Sequence, residues 1–563
     1  MPKPKPKPMT DTPASSRWDS EVRMLALIAT CVSVTAFLAY FQRGEVPLYG
    51  DAVGHMNIAR RVFDSKTPGL LQLGTVWLPL PHLLMIPFIV SREMWQRGVG
   101  GSIPSMVAYV LGVVGMFRLV RGTLFRSPAL DRASRLAAWT AALVYGANPN
   151  LIYMQATAMG ESLYLAFFIW AVVYFGEAVR GDGKALTKCG LCLSAACLTR
   201  YDGWFLAMAM AAVVVLRGLL GRSNAKVSGF QPARTAIVKF VLIVAFAPAL
   251  WFAYNGIVYR NPLEFENGPY SAKAIEQRTQ SANNPGHPGR GNLLVAGLYF
   301  LKSGQGNVAE NEWLQRACVL LVIAGIAAVA FAKQVFKRTT AGPSTFQPWP
   351  LLFLLIPLPF YTLSVAYGGV PIFIPAWYPF SHYNVRYGLQ LLPAFGASLA
   401  LLVYLVGQSE WRSRLRLACL LGVFALVIAS YTSVWQAGPT CLQEAQINMR
   451  TRNQLEGQLA VWLQRLPPDS TLLMYLGDHV GAVQRAGIPL RRVINEGNHR
   501  VWKQPADSDG LWERALADPE QYADYVVASE GDVVWQAVQG RHLRELVELH
   551  VTGQARAILY RAR

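Results

Sequence analysis

An apolar run, RMLALIATCVSVTAFLAYFQ, occupies residues 23–42 of the chain. A helix that rises 1.5 Å per residue needs about 20 such residues to cross the hydrocarbon core of a bilayer, so this run predicts a membrane span. The preceding tail, residues 1–22, begins with alternating proline and lysine, so it cannot fold alone and carries positive charge. Positive flanks stay in the cytoplasm, and we therefore expect the first span to point outward.

Ten further apolar runs predict spans that end near residue 434. They cover residues 103–120, 136–149, 162–180, 186–199, 203–219, 237–256, 315–333, 349–367, 387–406 and 415–434. The chain of 563 residues is 53% hydrophobic and 15% charged, whereas soluble domains carry roughly 25% charged residues. We therefore predict a polytopic, all-α membrane domain with about eleven transmembrane helices. A shorter run from Thr75 to Val90 contains three prolines and is expected to lie at the membrane interface.

Five loops rich in lysine and arginine fall on one side of the membrane when eleven spans are counted. These loops contain residues 118–135, 180–188, 217–239, 333–338 and 412–416. The positive-inside rule assigns that side to the cytoplasm. The longer loops at 43–102, about 150–161, 257–314 and 368–386 then face outward, and long loops often carry function. We expect the protein in the plasma (inner) membrane, with its chemistry on the periplasmic or extracellular side.

The surplus of positive charge lies in the hydrophobic part of the chain. Residues 1–436 hold 38 lysines and arginines against 18 acidic residues, whereas residues 437–563 hold 14 against 15. A nucleic-acid partner would need a basic stripe on a water-exposed face, and the sequence shows none. We therefore expect the lipid bilayer, and no nucleic acid, as a partner.

The last 127 residues have the pattern of a small α/β domain outside the membrane. Helical periodicity runs from about 444 to 466, and strand-like runs cover 470–476, 525–528 and 557–560. The predicted organisation is therefore a cytoplasmic tail at 1–22, a transmembrane domain at 23–436 and an extracytoplasmic α/β domain at 437–563.

The first outer loop places an acidic residue directly beside the membrane. Residues 49–64 read YGDAVGHMNIARRVFD, and on a helix Asp51 and His55 share a face at i,i+4 spacing. A carboxylate this close to the bilayer is costly unless it is paired or used. The structural alternative is that Asp51 only caps an interfacial helix.

Four stretches, in their order and on one side of the membrane, resemble GT-C glycosyltransferases. They are residues 51–61, 158–163, 198–204 and 384–393, which read DAVGHMNIARR, AMGESL, LTRYDGW and NVRYGLQLLP. Members of this family are polytopic enzymes that take sugars from polyprenyl-phosphate carriers, such as protein O-mannosyltransferases, aminoarabinose transferases and arabinofuranosyltransferases. The resemblance covers residues 20 to about 435 and implies a GT-C-like fold. Many members carry two adjacent acidic residues at the first site, whereas Ala52 follows Asp51 here.

The resemblance implies roles for individual residues. Asp51 is expected to be the catalytic base for an acceptor hydroxyl. Arginines are expected to hold the departing donor phosphate, because a guanidinium pairs with two phosphate oxygens, and the candidates are Arg386, Arg200, Arg60 and Arg61. Acceptor or accessory roles are expected for His55, Glu161 and Asp202. The alternatives are arginines that only anchor at the interface, a histidine that only bonds Asp51, and a glutamate that only caps the fourth span.

The sequence thus predicts an inverting hexosyl- or pentosyltransferase that moves a sugar from a polyprenyl-phosphate donor to an unknown acceptor. The acceptor could be a protein, an envelope glycan or a lipid. A P-loop and a G-x-G-x-x-G motif are both missing, so a soluble nucleotide-sugar donor is not indicated. No metal ligands are predicted, although the residues leave a need for a divalent ion such as Mg²⁺ or Mn²⁺ open.

Two other classes of function compete with the transferase. A secondary transporter or lipid flippase should show inverted repeats and charges at mid-membrane, and the sequence shows neither. A non-catalytic scaffold would not explain why Asp51, Arg200 and Arg386 converge on one side. The outer loop at 257–314 either folds over the bound donor and excludes water or is only a disordered linker.

Overall fold

The computed structural model describes residues 14–124, 132–223, 230–279, 286–330, 348–409, 411–498 and 508–563. Its first half contains α1 Ala14–Gln42, α2 Gly50–Arg61, α3 Leu80–Ile89, α4 Arg92–Gln96, α5 Val99–Leu124, α6 Arg132–Gly146, α7 Pro149–Met154, α8 Glu161–Val179, α9 Ala185–Cys197, α10 Asp202–Ser223 and α11 Arg234–Val258. There follow α12 Glu264–Asn267, α13 Ala272–Thr279, α14 Leu293–Gly306, α15 Glu312–Ala330, α16 Pro357–Tyr367, α17 Leu392–Gln408 and α18 Ser413–Ala437. Short 3₁₀ helices at Leu70–Leu73, Trp349–Leu355 and Val385–Leu391 lie between them.

Each predicted span overlaps helical chain in its described part, although α1 begins nine residues before the predicted span and the spans predicted at 349–367 and 387–406 begin in 3₁₀ helices. In the described part of the chain, eight helices are long and apolar enough to cross a membrane. Many of their apolar side chains are exposed, for example Leu242, Phe246 and Ile257 on α11. Such surfaces suit contact with lipid chains, so the chain is an integral membrane protein. The predicted total of about eleven spans stays a prediction.

Three of the predicted outer loops, at 43–102, 150–161 and 257–314, contain short helices in their described parts, whereas residues 368–384 form none. The segment after the first span forms α2, and the proline-containing run that was predicted to be interfacial forms the short, apolar α3. Ser102 and Ser105 of α5 donate hydrogen bonds to the carbonyl oxygens of Ala156 and Met159. These bonds hold the second outer loop, and therefore the start of α8 at Glu161, against the side of α5.

The C-terminal region is an α/β domain, as predicted. It contains α19 Thr440–Leu463, β1 Leu472–Met474, α20 Leu476–Ala486, β2 Val493–Ile494, α21 Leu511–Ala517, α22 Pro519–Tyr522, β3 Tyr525–Ser529, α23 Val533–Val538, β4 Arg544–Leu549 and β5 Ala557–Arg561, with 3₁₀ turns at Leu490–Arg492 and Glu496–Asn498. The strand order is β2-β1-β3-β5-β4. β1 pairs in parallel with β2 and β3, whereas β5 pairs antiparallel with β3 and β4.

Two strands of this sheet were not predicted. β2 has only two residues, and β4 is an edge strand whose exposed positions carry charges such as Arg544 and Glu545. Charged side chains on an edge discourage pairing with other molecules. The same charges remove the apolar alternation from which a strand is predicted.

The first helix of the C-terminal domain is packed into the outer loops. The backbone N–H of Cys441 in α19 donates to Asn150 Oδ1 over 2.8 Å, and its carbonyl accepts from Tyr49 Oη over 2.8 Å. The boundary predicted between residues 436 and 437 falls at the end of α18, just before α19. The division into domains stays a prediction, but α19 brings its side chains to the membrane domain.

The orientation of the chain can be tested by labelling single introduced cysteines with a membrane-impermeant maleimide. We expect Ser413→Cys, at the start of α18, to be labelled only from the cytoplasm, and Glu520→Cys, in the sheet domain, only from outside. Both positions are exposed, and the unmodified protein is the control for its seven own cysteines. Labelling of both variants from the same side would contradict the predicted topology. The basic tail at 1–13 and residue 500 lie outside the described residues.

Candidate functional site

An open cavity of about 330 Å³ lies between α2 and the C-terminal domain. One wall is a single face of α2, formed by Asp51, Gly54, Ile58 and Arg61 at spacings of three and four residues. The opposite wall is a face of α19 and the start of α20. The 3₁₀ helix at Val385–Leu391 closes one end with Arg386.

Arg386 binds three carboxylates. Its Nη2 donates to Asp51 Oδ2 over 2.7 Å, its Nη1 to Glu444 Oε1 over 2.6 Å, and its Nε to Glu161 Oε1 over 3.2 Å. The side chains of Glu161 and Glu444 are 1% exposed and that of Arg386 is 8% exposed, whereas that of Asp51 is 42% exposed. Asp51 is therefore the most exposed member of this cluster, and Arg386 and Glu444 line the cavity beside it with little exposed surface.

Arg200 extends the cluster away from the cavity. Its Nη1 donates to Glu161 Oε1 over 3.1 Å and its Nη2 to Tyr361 Oη over 2.8 Å, while its Nε lies 3.4 Å from Asp202 Oδ2. Tyr361 in turn donates to Asp202 over 2.9 Å. The guanidinium groups of Arg200 and Arg386 both lie 5.0 Å from the ring centroid of Tyr387. The structure thus joins the predicted residues at 51, 161, 200, 202 and 386 into one set of contacts.

The cluster contains two arginines and four carboxylates. Burial raises the pKa of Glu444 above its ordinary value, although the Arg386 guanidinium and two backbone N–H groups act against that shift. Within the described part of the chain, Glu161 Oε2 and Asp202 Oδ1 are buried and have no hydrogen-bond partner. Buried negative charge without a partner is costly, so these carboxylates depend on the two arginines of the cluster.

Asp51 does not cap its helix with its side chain. The N-cap residue of α2 is Tyr49, and Asp51 lies in the first turn with its side chain turned to Arg386. The capping alternative for Asp51 is therefore wrong. A carboxylate in the first turn still gains from the positive end of the helix dipole. Its second oxygen, Oδ1, makes no hydrogen bond to any of the described residues, so it is available to a ligand.

His55 pairs with a second histidine and not with Asp51. Its Nδ1 lies 2.8 Å from His82 Nε2, and its ring lies 4.4 Å from that of Trp77. Trp77 reaches α2 because residue 54 is glycine: a Cβ there would lie 2.9 Å from the indole. Burial lowers the pKa of His55 to about 4, so at neutral pH this pair offers hydrogen bonds but no positive charge.

The two adjacent arginines of α2 have different surroundings. Arg60 is buried, its Nε donates to Asp64 over 2.8 Å, and its Nη1 donates to the carbonyl oxygens of Ile89 and Val90. It therefore joins α2 to α3 and is not brought to the cavity. Arg61 lines the cavity, where its Nη1 lies 3.8 Å from Glu496 Oε1. Its Nε has no partner among the described residues, so Arg61 remains a candidate for binding an anion.

Sequence reasoning missed Glu444, His82 and Tyr361 as members of the site. Glu444 lies on a helix that was predicted, but only its buried position beside Arg386 marks it. No signal along the chain joins it to a residue 58 positions away. Histidines 55 and 82 were both visible in outer loops, and their pairing needed the packing of α2 on α3.

The described residues contain no group of three or more His, Cys, Asp or Glu side chains that could hold a metal ion. The carboxylates of the cluster contact arginines instead. Whether a divalent ion such as Mg²⁺ or Mn²⁺ takes part is therefore a question for the transfer assay below.

The similarity to known proteins lies in structure. No protein-family model and no curated protein matches the sequence. ArnT from Cupriavidus metallidurans bound to undecaprenyl phosphate matches with a TM-score of 0.51 and 14% identity, over 97% of this chain and 98% of that chain. The chain has the GT-C fold. The apo state of the same ArnT gives a TM-score of 0.51 over 98% of both chains, also at 14% identity.

This match confirms the predicted GT-C resemblance and the predicted fold class. The Archaeoglobus fulgidus oligosaccharyltransferase tethered with an acceptor peptide is also similar, with a TM-score of 0.43 and 14% identity over 90% of this chain and 69% of that chain. That score is too low to support an argument. At 14% identity, the similarity establishes the fold and nothing about individual residues. The roles of the site residues stay predictions.

Proposed function

We propose that this chain is an inverting membrane glycosyltransferase, which moves a sugar from a polyprenyl-phosphate carrier to an acceptor hydroxyl on the extracytoplasmic side. The observation that carries the proposal is the position of Asp51. It is a reachable carboxylate at the wall of the cavity, fixed by Arg386 over 2.7 Å, at the start of the first outer helix of a GT-C fold.

The proposed reaction needs one base and one stabilised leaving group. The acceptor oxygen attacks the anomeric carbon of the sugar, Asp51 Oδ1 takes the hydroxyl proton, and the bond from that carbon to the phosphate oxygen breaks. The phosphate leaves with the bonding electrons and needs no proton from an acid. Arg386 keeps Asp51 oriented through the 2.7 Å hydrogen bond to its Oδ2, which leaves Oδ1 for the acceptor proton.

Arg386 is our candidate for the donor phosphate as well. A guanidinium carries five N–H groups, and three of the five here are used by carboxylates. In an in-line displacement the base and the leaving phosphate flank the same carbon, so the phosphate must lie close to Asp51.

Arg61 is ten residues further along α2 than Asp51, or roughly 15 Å. It is therefore better placed for the acceptor or a distant part of the donor than for this phosphate.

Transfer by the purified protein in nanodiscs tests the proposal. Radiolabelled polyprenyl-phosphate hexoses and pentoses are supplied with envelope extract, and the products are separated by extraction and mass spectrometry. We expect label in an acceptor and release of one polyprenyl phosphate per sugar. Movement of intact labelled lipid across vesicles, with no covalent transfer, would favour the flippase or transporter alternative instead.

The same assay answers the question of the metal ion. Parallel reactions contain EDTA, EDTA with excess Mg²⁺, or EDTA with excess Mn²⁺. Activity that is lost with EDTA and restored by one ion would show that the site gains a metal with its substrates. Mass spectrometry of envelope fractions from a deletion strain then identifies the natural acceptor as the glycan that is lost.

A further inference from the structure

Glu444 joins the C-terminal domain to the cluster around Arg386. Besides Arg386 Nη1 over 2.6 Å, its carboxylate accepts the backbone N–H groups of Asn384 over 3.1 Å and Val385 over 2.8 Å. The side chain is 1% exposed. It therefore holds both the backbone at the start of the 3₁₀ helix and the side chain that this helix presents to the cavity.

We infer that Glu444 is a positioning residue for the proposed transfer, and that α19 completes the active site from outside the membrane domain. Its carboxylate holds the guanidinium of Arg386 in the orientation in which Nη2 reaches Asp51. The inference rests on the proposed function and adds a residue to that site.

The guanidinium of Arg386 lies between the rings of Tyr49 and Tyr387, and its hydrogen bonds go to carboxylates. The 3₁₀ helix is fixed from behind, since a Cβ on Gly388 would lie 2.4 Å from the backbone carbon of Ser303. The three nitrogens of Arg386 each donate to a different carboxylate. Loss of the Glu444 contact leaves the plane of the guanidinium free to turn about its remaining bonds, and the hydrogen bond to Asp51 is then held less well.

The position of Glu444 within α19 supports a role in the cavity. Residues 444, 448 and 452 follow at i,i+4 spacing, and all three line the cavity opposite α2. Asn448 also donates to the carbonyl oxygen of His382 over 2.9 Å. α19 thus presents three polar side chains to the cavity, beside the apolar Ala445 and Met449.

Removal of the Glu444 charge should change catalysis and donor binding in opposite directions. Glu444→Gln keeps the size of the side chain but cannot accept all three N–H groups, so Arg386 and Asp51 lose their fixed geometry. We expect kcat to fall about 10- to 100-fold. The same change removes one of the negative charges that repel a phosphate, so we expect the KM for the donor to fall.

The experiment compares Glu444→Gln with Glu21→Gln in the nanodisc assay. Glu21 is a matched control because it is also buried and accepts three N–H groups, two from Arg135 and one from Trp139. It lies at the other end of the first span, so we expect both of its kinetic constants to be unchanged. Unchanged kcat in a folded Glu444→Gln variant would overturn the inference, and so would an equal fall of kcat in the control.

A binding measurement tests the role of Glu444 independently of the proposed transfer reaction. Undecaprenyl phosphate is titrated into both variants and the unmodified protein, with tryptophan fluorescence as the readout. If no transfer occurs with any donor, a Kd that is three- to tenfold lower in Glu444→Gln alone would still support the role of Glu444 in setting the Arg386 contacts. An unchanged Kd in that case would overturn it.

A second variant guards against a failure to fold. Glu444→Asp keeps the charge but withdraws the carboxylate by one methylene, so it cannot keep all three contacts. We expect this variant to retain part of the kcat, between those of Glu444→Gln and the unmodified protein. A Glu444→Asp variant with the full kcat would contradict a requirement for exact placement of Arg386, and would overturn the inference.

Discussion

Asp51→Asn is expected to lower the rate of sugar transfer by about 10²- to 10⁴-fold, the usual cost of losing a general base. The amide is almost the same size, and its oxygen can still accept from Arg386 Nη2, as the carboxylate does over 2.7 Å. It cannot take a proton from the acceptor hydroxyl. Folding and donor binding should therefore stay close to those of the unmodified protein. The measurements are kcat from the nanodisc assay and the Kd for undecaprenyl phosphate.

Glu45→Gln is the matched control for Asp51→Asn. Glu45 follows the first span on the same side, pairs with Arg43 over 3.0 Å, and does not line the cavity. We expect its kcat to be unchanged, because no proton transfer depends on it. A folded Asp51→Asn variant with near-normal transfer would remove Asp51 from the role of base. The search would then turn to Glu161 and Asp202, which have unpartnered buried oxygens among the described residues.

The sequence predicts those parts of the structure that depend on local composition. Runs of apolar residues predict α1, α5, α8 and α11 well, because a span needs little more than length and hydrophobicity. The start of α2 after the first span was also predictable. The pairing of Asp51 with Arg386 was not, since the two residues are 335 positions apart and no local pattern joins them.

The different positions of Arg60 and Arg61 could partly be predicted from the sequence. Successive residues on a helix are turned by about 100°, so two adjacent arginines cannot face the same surface. The face with Asp51, Gly54 and Ile58 continues at Arg61, and Arg60 falls on the side that packs against α3. A helical projection of α2 therefore separates a cavity residue from a packing residue once the position of Asp51 is taken as the reference.

The role of Glu444 could not be predicted from sequence patterns. Helical periodicity predicts α19, and the spacing of Glu444, Asn448 and Arg452 marks one polar face. A polar face on a helix outside the membrane is normally a solvated one. Only the packing of α19 against the outer loops turns this face to a buried arginine. Long-range packing, not residue type, makes Glu444 part of the site.

Arg386→Ala is expected to reduce both transfer and stability. One lost charge-assisted contact to the donor phosphate costs about 1.5–3 kcal/mol, which is roughly a 10- to 150-fold loss in kcat/KM for the donor. Loss of the Arg386 contact to Asp51 should lower kcat further. Three carboxylates would also lose their common cation, and breaking a buried ion pair typically destabilises by about 3–5 kcal/mol.

Arg386→Lys separates the two effects, because it keeps the positive charge but not the planar fork. An ammonium group cannot reach three carboxylates that bind three different nitrogens. Because the positive charge is kept, we expect thermal unfolding closer to that of the unmodified protein than in Arg386→Ala. Because the ammonium group cannot make all three contacts, we expect transfer to be only partly restored. Arg118→Ala is the control, since Arg118 pairs with Glu177 over 2.8 Å and with the ring of Trp170, far from the cavity. A folded Arg386→Ala variant with normal kcat and donor KM would place the phosphate elsewhere, and Arg61 would then be the next arginine to replace.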